Sequence, residues 1–193
     1  PTAAEISSGS ITLTLTTTGN GSCNAVTDDM VLNFTAAPTA DAGPDVIVCA
    51  NNPDVALNGA VTVATGGQWS GGLGSFSPNA NTLNATYTPS AAEITAGSVT
   101  LTLTTTGNGT CNPESDDILI TINPAPVVSA GPSLTVCANN PSVNLSGSVS
   151  FASGGVWSGG GGTFNPSNTT LNATYTPSAA EILAGTVTLT LTS

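Results

Sequence analysis

The segment SVTLTLTTTGNGTC, residues 98–111, decides how this chain folds. It alternates apolar residues with Thr, runs into a Gly-Asn-Gly turn, and ends at Cys111. Alternation with a period of two is the pattern of a β-strand with one buried face, and a Gly/Asn turn is typical of the end of such a strand. Nearly the same segment occupies residues 10–23, and GTVTLTLTS closes the sequence at residues 185–193. The chain is therefore built from repeated β-strand units.

The repeats have a period of 88 residues. The segments PTAAEI, PSAAEI and PSAAEI begin at Pro1, Pro89 and Pro177. The same spacing separates four further pairs of residues: Cys23 and Cys111, Cys49 and Cys137, Trp69 and Trp157, Tyr87 and Tyr175. A unit of this length is too long for one turn of a solenoid and close to the roughly 100 residues of an immunoglobulin-like domain. The pattern predicts an all-β fold of tandem immunoglobulin-like β-sandwich domains.

Segments rich in Pro, Ala and Gly separate the domains. AAPTADAGPD at 36–45 and NPAPVVSAGPS at 123–133 interrupt the strand patterns, because Pro and Gly disfavour strand pairing. They predict the C-terminal part of one repeat in 1–37, a complete repeat in 38–125, and the N-terminal part of a third in 126–193. We expect a segment of a longer array, since a continuous polypeptide is a simpler account than strand complementation between chains.

Within the complete repeat, β patterns and turn residues predict six strands and one helical turn. The predicted strands are 45–49, 55–63, 67–72, 83–88, 98–106 and 116–123. Between the fourth and fifth strands, SAAE has the Ser-x-x-Glu spacing of a capping box, in which Ser90 accepts from a backbone N–H and Glu93 reaches back. Ser178 with Glu181 and Thr2 with Glu5 repeat this spacing.

The composition excludes whole classes of function. The 193 residues include 11 acidic side chains and no Lys, Arg or His, which gives a net charge of −11. Nucleic-acid binding depends on Lys and Arg, and an anionic membrane would repel this chain. Without His or Lys there is no Ser-His-Asp triad, no Schiff-base lysine and no His-containing zinc site. We expect no enzyme and no cofactor. The expected partners are neighbouring repeats of the same polypeptide or filament, and glycans or other cells are further candidates.

Calcium is the metal that the carboxylates of this chain could bind, because it prefers oxygen ligands. Asp28 and Asp29, and their equivalents Asp116 and Asp117, offer oxygen ligands near the domain junctions. Calcium requires six to eight oxygens, however, and the spacing of an EF-hand loop is absent. DAGPD at 41–45 also becomes SAGPS at 129–133, which removes two carboxylates from the equivalent junction. The preferred prediction is that there is no metal site, with calcium at these aspartates as the weaker alternative.

One Trp and one Tyr recur in each repeat. Trp69 and Trp157 lie in GGQWSGG and GGVWSGG, where sandwich domains bury a tryptophan in the core. A single Trp and a single Tyr hardly suffice for both a core and a sugar-stacking surface. Core packing is therefore predicted for Trp69, Trp157, Tyr87 and Tyr175.

Two cysteines per repeat, without a nearby His or Lys, indicate disulfides in an oxidising compartment. Pairing Cys49 with Cys111 stays inside one domain and is preferred, with Cys23 and Cys137 paired outside the segment; closing this loop would stabilise the fold by about 4 kcal/mol. Immunoglobulin topology, however, places these two positions at opposite ends of a domain. The alternative joins the cysteine after strand 98–106 to the cysteine of strand 45–49 in the preceding repeat. Both pairings remain open at this point.

Four signatures carry a resemblance to a known group of proteins: ADAGPDVIVCANNPDVALNG at 40–59, TYTPSAAEI at 86–94, VTLTLTTTGNGTC at 99–111 and SDDILITI at 115–122. They resemble the PKD-like and immunoglobulin-like repeats of very large secreted bacterial surface proteins, notably adhesins of Bacteroidetes-type bacteria. The resemblance implies an extracellular stalk or fibre at a cell surface.

Two functions agree with such an array: a mechanical spacer, and an adhesive module whose loops bind glycan or protein. Ligand-binding modules should differ in their loops, whereas spacer modules should be alike. Between 39–105 and 127–193, 44 of 67 positions are identical, and the segments CANNP, WSGG and TLNATYTPSAAEI are unchanged. The comparison favours the spacer.

Overall fold

Strands make up 40% of the chain and helices 9%. The structure is a computed structural model that describes residues 1–193. The predicted all-β sandwich class is confirmed. The chain divides into two compact units, of which one contains Pro1–Val48 with Asn52–Ile122 and the other contains Cys49–Asn51 with Asn123–Ser193.

The first part of the chain forms one short helix and a β-hairpin. These elements are α1 (Ala3–Ser8), β1 (Ser10–Thr16) and β2 (Thr27–Asn33). The two strands pair antiparallel along seven residues, from Ser10 opposite Asn33 to Thr16 opposite Thr27. The alternating pattern of residues 10–16 therefore forms the strand that its period predicts.

The complete repeat consists of nine strands and one helix. In chain order they are β3 (Thr39–Asp41), β4 (Val46–Cys49), β5 (Val55–Ala56), β6 (Ala60–Thr62), β7 (Gly66–Ser70), β8 (Ser75–Ser77), β9 (Thr86–Thr88), α2 (Ala91–Ala96), β10 (Ser98–Thr106) and β11 (Ser115–Asn123). One sheet has the order β4-β11-β10-β7 and a second has the order β5-β9-β8, while β3 pairs with β6. The last strand, β11, thus lies between β4 and β10.

The long hairpin of β10 and β11 supplies one face of the core. Leu101 and Ile118 are directly opposite each other in the antiparallel register, and both are buried, as are Leu103 and Ile120. Residues between them point to the other face, because successive side chains of a strand alternate. The alternation of apolar residues with Thr in 98–106 is therefore the burial pattern of β10.

Trp69 fills the centre of this core. It lies on β7 opposite Leu103, is 2% exposed, and its Nε1–H donates to the Leu83 carbonyl oxygen at 3.1 Å. A Cβ at Gly59 would lie 2.8 Å from Cζ2 of Trp69 and 2.9 Å from Cδ2 of Leu103. Glycine at this position lets the backbone approach the indole.

Three parts of the strand prediction differ from the structure. The segment predicted as one strand, 55–63, forms two short strands in different sheets, since β5 pairs with β9 and β6 pairs with β3. It ends at Val63, whose φ of 64° is in the left-handed region. The linker also contains a strand, β3, because its Pro and Gly residues lie outside Thr39–Asp41, and β8 was not predicted from its three residues.

The third part repeats this arrangement. Its elements are β12 (Val127–Ser129), β13 (Val143–Asn144), β14 (Ser148–Ser150), β15 (Val156–Ser158), β16 (Thr163–Asn165), β17 (Thr174–Thr176), α3 (Ala179–Ala184) and β18 (Thr190–Thr192). The sheets are β13-β17-β16, β15-β18 and β12-β14. Leu145, Trp157, Tyr175 and Leu191 form its core.

Each of the three helices has six residues. None is long and apolar enough to cross a membrane.

Truncating Leu101 to Ala should lower the free energy of unfolding by about 3 kcal/mol, because a buried leucine leaves a cavity behind. Leu119→Ala is the matched control: the same atoms are removed from the neighbouring strand, at a side chain that is 39% exposed, so the loss should stay below about 1 kcal/mol. Urea denaturation followed by Trp69 fluorescence in a Trp157→Phe background measures both. Equal losses would contradict the burial described for β10.

Candidate functional site

The carboxylate of Glu93 first caps its own helix. Ser90, the N-cap of α2, accepts from the backbone N–H of Glu93, and Glu93 Oε2 accepts from the Ser90 backbone N–H at 2.7 Å and from Ser90 Oγ at 2.8 Å. This is the reciprocal capping box that the Ser-x-x-Glu spacing predicts. Gly97 ends the helix in the left-handed conformation.

The other carboxylate oxygen of Glu93 leaves the helix and binds two further segments. Oε1 accepts from the Tyr87 hydroxyl at 2.7 Å and from the Leu73 backbone N–H at 2.7 Å. The Tyr87 oxygen in turn accepts from the Gly74 backbone N–H at 2.9 Å. Glu93 is 6% exposed, so this buried charge joins α2, β9 and the loop before β8.

Two glycines let that loop reach the tyrosine. A Cβ at Gly72, whose φ is +71°, would overlap the Tyr87 hydroxyl and lie 2.8 Å from Glu93 Oε1. A Cβ at Gly74 would overlap the backbone oxygen of Thr88. No periodic pattern in the sequence predicts this contact; its one signal is the glycine cluster GGLG after Trp69 and Ser70, which becomes GGGG in the third repeat.

Burial and hydrogen bonding shift the titration of this pair. Burial raises the pKa of the Glu93 carboxyl, but the hydrogen bonds from Ser90, Tyr87 and Leu73 outweigh it and hold that pKa below its ordinary value. Burial, together with the hydrogen bond to Glu93, raises the pKa of Tyr87 to about 12. At neutral pH the pair is therefore a phenol that donates to a carboxylate.

The third repeat has the same hydrogen bonds around its capping glutamate, whereas the first part of the chain has only the capping box. Glu181 accepts from Ser178 N, Gly161 N and the Tyr175 hydroxyl, and the Ser178 backbone N–H is the main cause that lowers the pKa of Glu181 to about 2. The Glu5 carboxylate accepts only from the Thr2 backbone N–H, at 2.6 Å. Glu5 therefore provides an internal comparison for capping alone.

The aspartates weighed for calcium lie on strands. Asp28 and Asp29 are on β2 and face Leu15 and Thr14 in the register, while Asp116 and Asp117 are on β11. Asp116 Oδ2 accepts from the Ala42 backbone N–H at 2.8 Å. No three acidic or cysteine side chains gather into a group able to hold a metal ion. Both the absence of a metal site and the weaker alternative of calcium at these aspartates stay predictions.

The structure does not form the preferred Cys49–Cys111 disulfide, and all four cysteines are free. Cys49 ends β4 at the C-terminal end of β11, where the Ala50 N–H donates to the Asn123 oxygen at 2.8 Å. Cys111 lies in the loop before Ser115, at the other end of β11. The nine residues of β11 span about 26 Å, whereas bridged cysteines need Cα atoms about 4.4–6.8 Å apart. The intradomain pairing is therefore incompatible with this topology.

Comparison with known proteins finds no family. No protein-family model matches the chain. No curated protein matches it.

Several solved structures are similar to the chain at low identity. The PKD domain of human KIAA0319 is 17% identical with a TM-score of 0.32, over 51% of this chain and 89% of that domain. Cadherin domains 1–4 of protocadherin gamma B7 are 12% identical with a TM-score of 0.42, over 97% of this chain and 57% of that one. The eight N-terminal Ig domains of Down syndrome cell adhesion molecule are 12% identical with a TM-score of 0.44, over 80% and 25% of the two chains.

Glu93→Gln should lower the free energy of unfolding by about 2–4 kcal/mol at pH 7, since an amide cannot accept from all the donors around it and leaves buried N–H groups unpaired. Glu5→Gln, in the exposed capping box, is the control and should lose less than about 1 kcal/mol. Urea titrations of the Trp157→Phe background measure the first variant, and the circular dichroism of the full chain measures the second. Losses of the same size would show that the contacts to Tyr87 and Leu73 contribute nothing.

The same carboxylate sets the response to acid. Because its folded pKa is below the unfolded value of about 4.3, the stability that Glu93 contributes is complete above that value and is lost as pH falls through the folded pKa. Between pH 5 and 2 the unfolding midpoint should fall more steeply with Glu93 present than in Glu93→Gln. Parallel profiles would contradict the direction of the shift.

Alkaline titration should find neither tyrosine near its ordinary pKa. In the folded protein the absorbance of Tyr87 tyrosinate should rise near pH 12, and burial should also delay the rise from Tyr175. In urea both should rise near pH 10, and Tyr87→Phe should remove half the signal, since the chain has two tyrosines. Because the folded pKa is raised, the stability from Tyr87 is complete below about pH 10 and is lost toward pH 12. A folded-state transition at pH 10 would contradict the buried Tyr87–Glu93 bond.

Proposed function

We propose that this chain is a mechanical spacer: part of an extracellular array of β-sandwich repeats that holds another part of the protein away from a cell surface. The setting outside a bacterial cell is the one that the resemblance of the sequence signatures implies. The identity of 44 of 67 positions between 39–105 and 127–193 favours a spacer over a module that binds ligand through its loops. The order of the strands in the all-β repeat determines how the repeat would resist tension.

The arrangement of β4 and β11 carries the proposal. They are neighbours in one sheet. Along the chain, however, β4 is the first strand of that sheet and β11 is the last. Asp45, just before β4, accepts from Leu119 N at 2.9 Å, and Ala50, just after it, donates to Asn123 O at 2.8 Å. Between these two contacts the residue numbers rise in both strands, from 45 to 50 and from 119 to 123. The two strands therefore run parallel.

Parallel end strands resist tension in a particular way. Force on the repeat pulls β4 toward its N-terminal end and β11 toward its C-terminal end, which are opposite directions along one ladder. The hydrogen bonds lie across the strands, so they are sheared together and do not open one after another. A repeat of this kind fits a chain that is held under tension.

The charge of the chain supports the same function. Eleven carboxylates with no cation repel one another and keep the array solvated. The lack of Lys and Arg also removes every cleavage site of trypsin-like proteases. Both properties suit a segment exposed to the surroundings of a cell.

Single-molecule force spectroscopy on the full chain tests the proposal. Handles at residues 1 and 193 load β4 and β11 in shear, whereas handles at residues 51 and 124, which follow the same end of both strands, open the ladder one bond at a time. Rupture of the complete repeat should need several-fold more force in the first geometry. Equal forces in the two geometries would overturn the spacer proposal, and specific capture of one glycan on an array would favour the adhesive alternative.

A further inference from the structure

Two cysteine thiols lie against equivalent points of the repeat junctions. Cys111 Sγ is 3.7 Å from the backbone oxygen of Ala36, and Cys49 Sγ is 3.9 Å from the backbone oxygen of Pro124. Ala36 and Pro124 are separated by one 88-residue period, since 124 − 36 = 88. They therefore occupy the same place in successive linkers, three residues before β3 and β12 respectively.

Each contact belongs to one compact unit. Cys111 and Ala36 are both in the unit that contains Pro1–Val48 and Asn52–Ile122, while Cys49 and Pro124 are both in the unit of the third repeat. The cysteine before β11 therefore faces the linker that precedes its repeat, and the cysteine at the end of β4 faces the linker that follows it. These are the two ends of the complete repeat.

From this equivalence we infer that successive repeats are joined by a disulfide between the β4 cysteine of one repeat and the cysteine before the β11 strand of the next. At one linker both thiols lie against the same carbonyl oxygen, so their sulfur atoms are at most 3.7 + 3.9 = 7.6 Å apart. Side-chain rotation can close this distance, whereas about 26 Å along β11 separates the two ends of one repeat. The inference deepens the proposed function and rests on the repeat array.

The position of the partners follows from the period. The partner of Cys49 lies 150 positions later, because Cys111 is 62 residues on and the next repeat adds 88. By the same count, no two of the four cysteines in this chain are partners. The four free thiols are therefore consistent with the inference.

The chemistry needs a disulfide oxidant, for which glutathione disulfide suffices. The thiolate of one cysteine attacks a glutathione sulfur, forms a mixed disulfide and releases one glutathione thiolate. The second protein thiolate then attacks the protein sulfur and releases the other. In total the two protein thiols lose two electrons and two protons, and glutathione disulfide gains both to become two glutathione thiols. Cys49 and Cys111 are both part-exposed, so the oxidant can reach them.

The test extends the full chain after Ser193 with a copy of residues 106–125, which places a copy of Cys111 in the third repeat. The folded protein is oxidised in a glutathione buffer, free thiols are alkylated, and the chain is cleaved after Asp and Glu without reduction. This cleavage puts each cysteine on its own peptide: Cys23 on 6–28, Cys49 on 46–54, Cys111 on 94–114 and Cys137 on 118–181.

We expect one linked peptide pair, 46–54 with the copy of Cys111, and alkylated Cys23, Cys111 and Cys137. Cys49→Ser should abolish the linked pair. Cys137→Ser, at the same strand position of the third repeat, should leave it intact. A link between Cys137 and the copied Cys111, or the absence of any link in the folded protein, would overturn the inference.

The unextended chain gives a second test that does not depend on folding of the added residues. After the same oxidation its peptides 46–54 and 94–114 should remain unlinked to each other, and a Cys49–Cys111 link there would overturn the inference. Neither readout depends on the rupture forces. A wrong pairing therefore leaves the spacer proposal standing, and equal forces in the two pulling geometries leave the pairing standing.

Discussion

The buried carboxylate of Glu93 connects α2 and β9, which follow each other along the chain, to the loop before β8, which is 20 residues away. It fixes the start of α2 through Ser90, holds the hydroxyl of Tyr87 in the middle of β9, and anchors the loop before β8 through Leu73. A buried charge is costly unless it is fully hydrogen-bonded, and here both oxygens have donors from protein groups alone. A chain with no Lys, Arg or His has no cation to pair with this charge, so backbone amides and hydroxyl groups do so instead.

How far the sequence predicts the structure depends on the range of the interaction. Residues 98–106 form a strand with the predicted bounds, because alternation acts within the strand itself, and the Ser90–Glu93 spacing places both capping partners three residues apart. The contact between Glu93 and Leu73 spans 20 residues and has no periodic signal. The division of 55–63 between two sheets likewise depends on its partners, β9 and β3, and not on its own pattern.

The cysteines show the same limit from another side. Spacing alone cannot choose between a pairing inside a repeat and a pairing across a junction, and the sequence favours the pairing that stays inside one domain. The choice depends on which end of β11 each residue adjoins, and that follows from β4 and β11 running parallel. The parallel arrangement of β4 and β11 thus determines two properties: the direction in which the proposed spacer would resist force, and the end of the repeat at which each thiol lies.

The position of β11 also determines when a repeat can fold. It is the last strand of its repeat to be synthesised, yet it lies in the interior of the sheet, between β4 and β10. A polypeptide that leaves a ribosome or an export channel with its N-terminus first cannot complete this sheet until β11 has emerged. Pairing β4 with β11 also requires closure of a long loop, which slows folding. Each repeat can therefore complete its sheet only after its final strand has emerged.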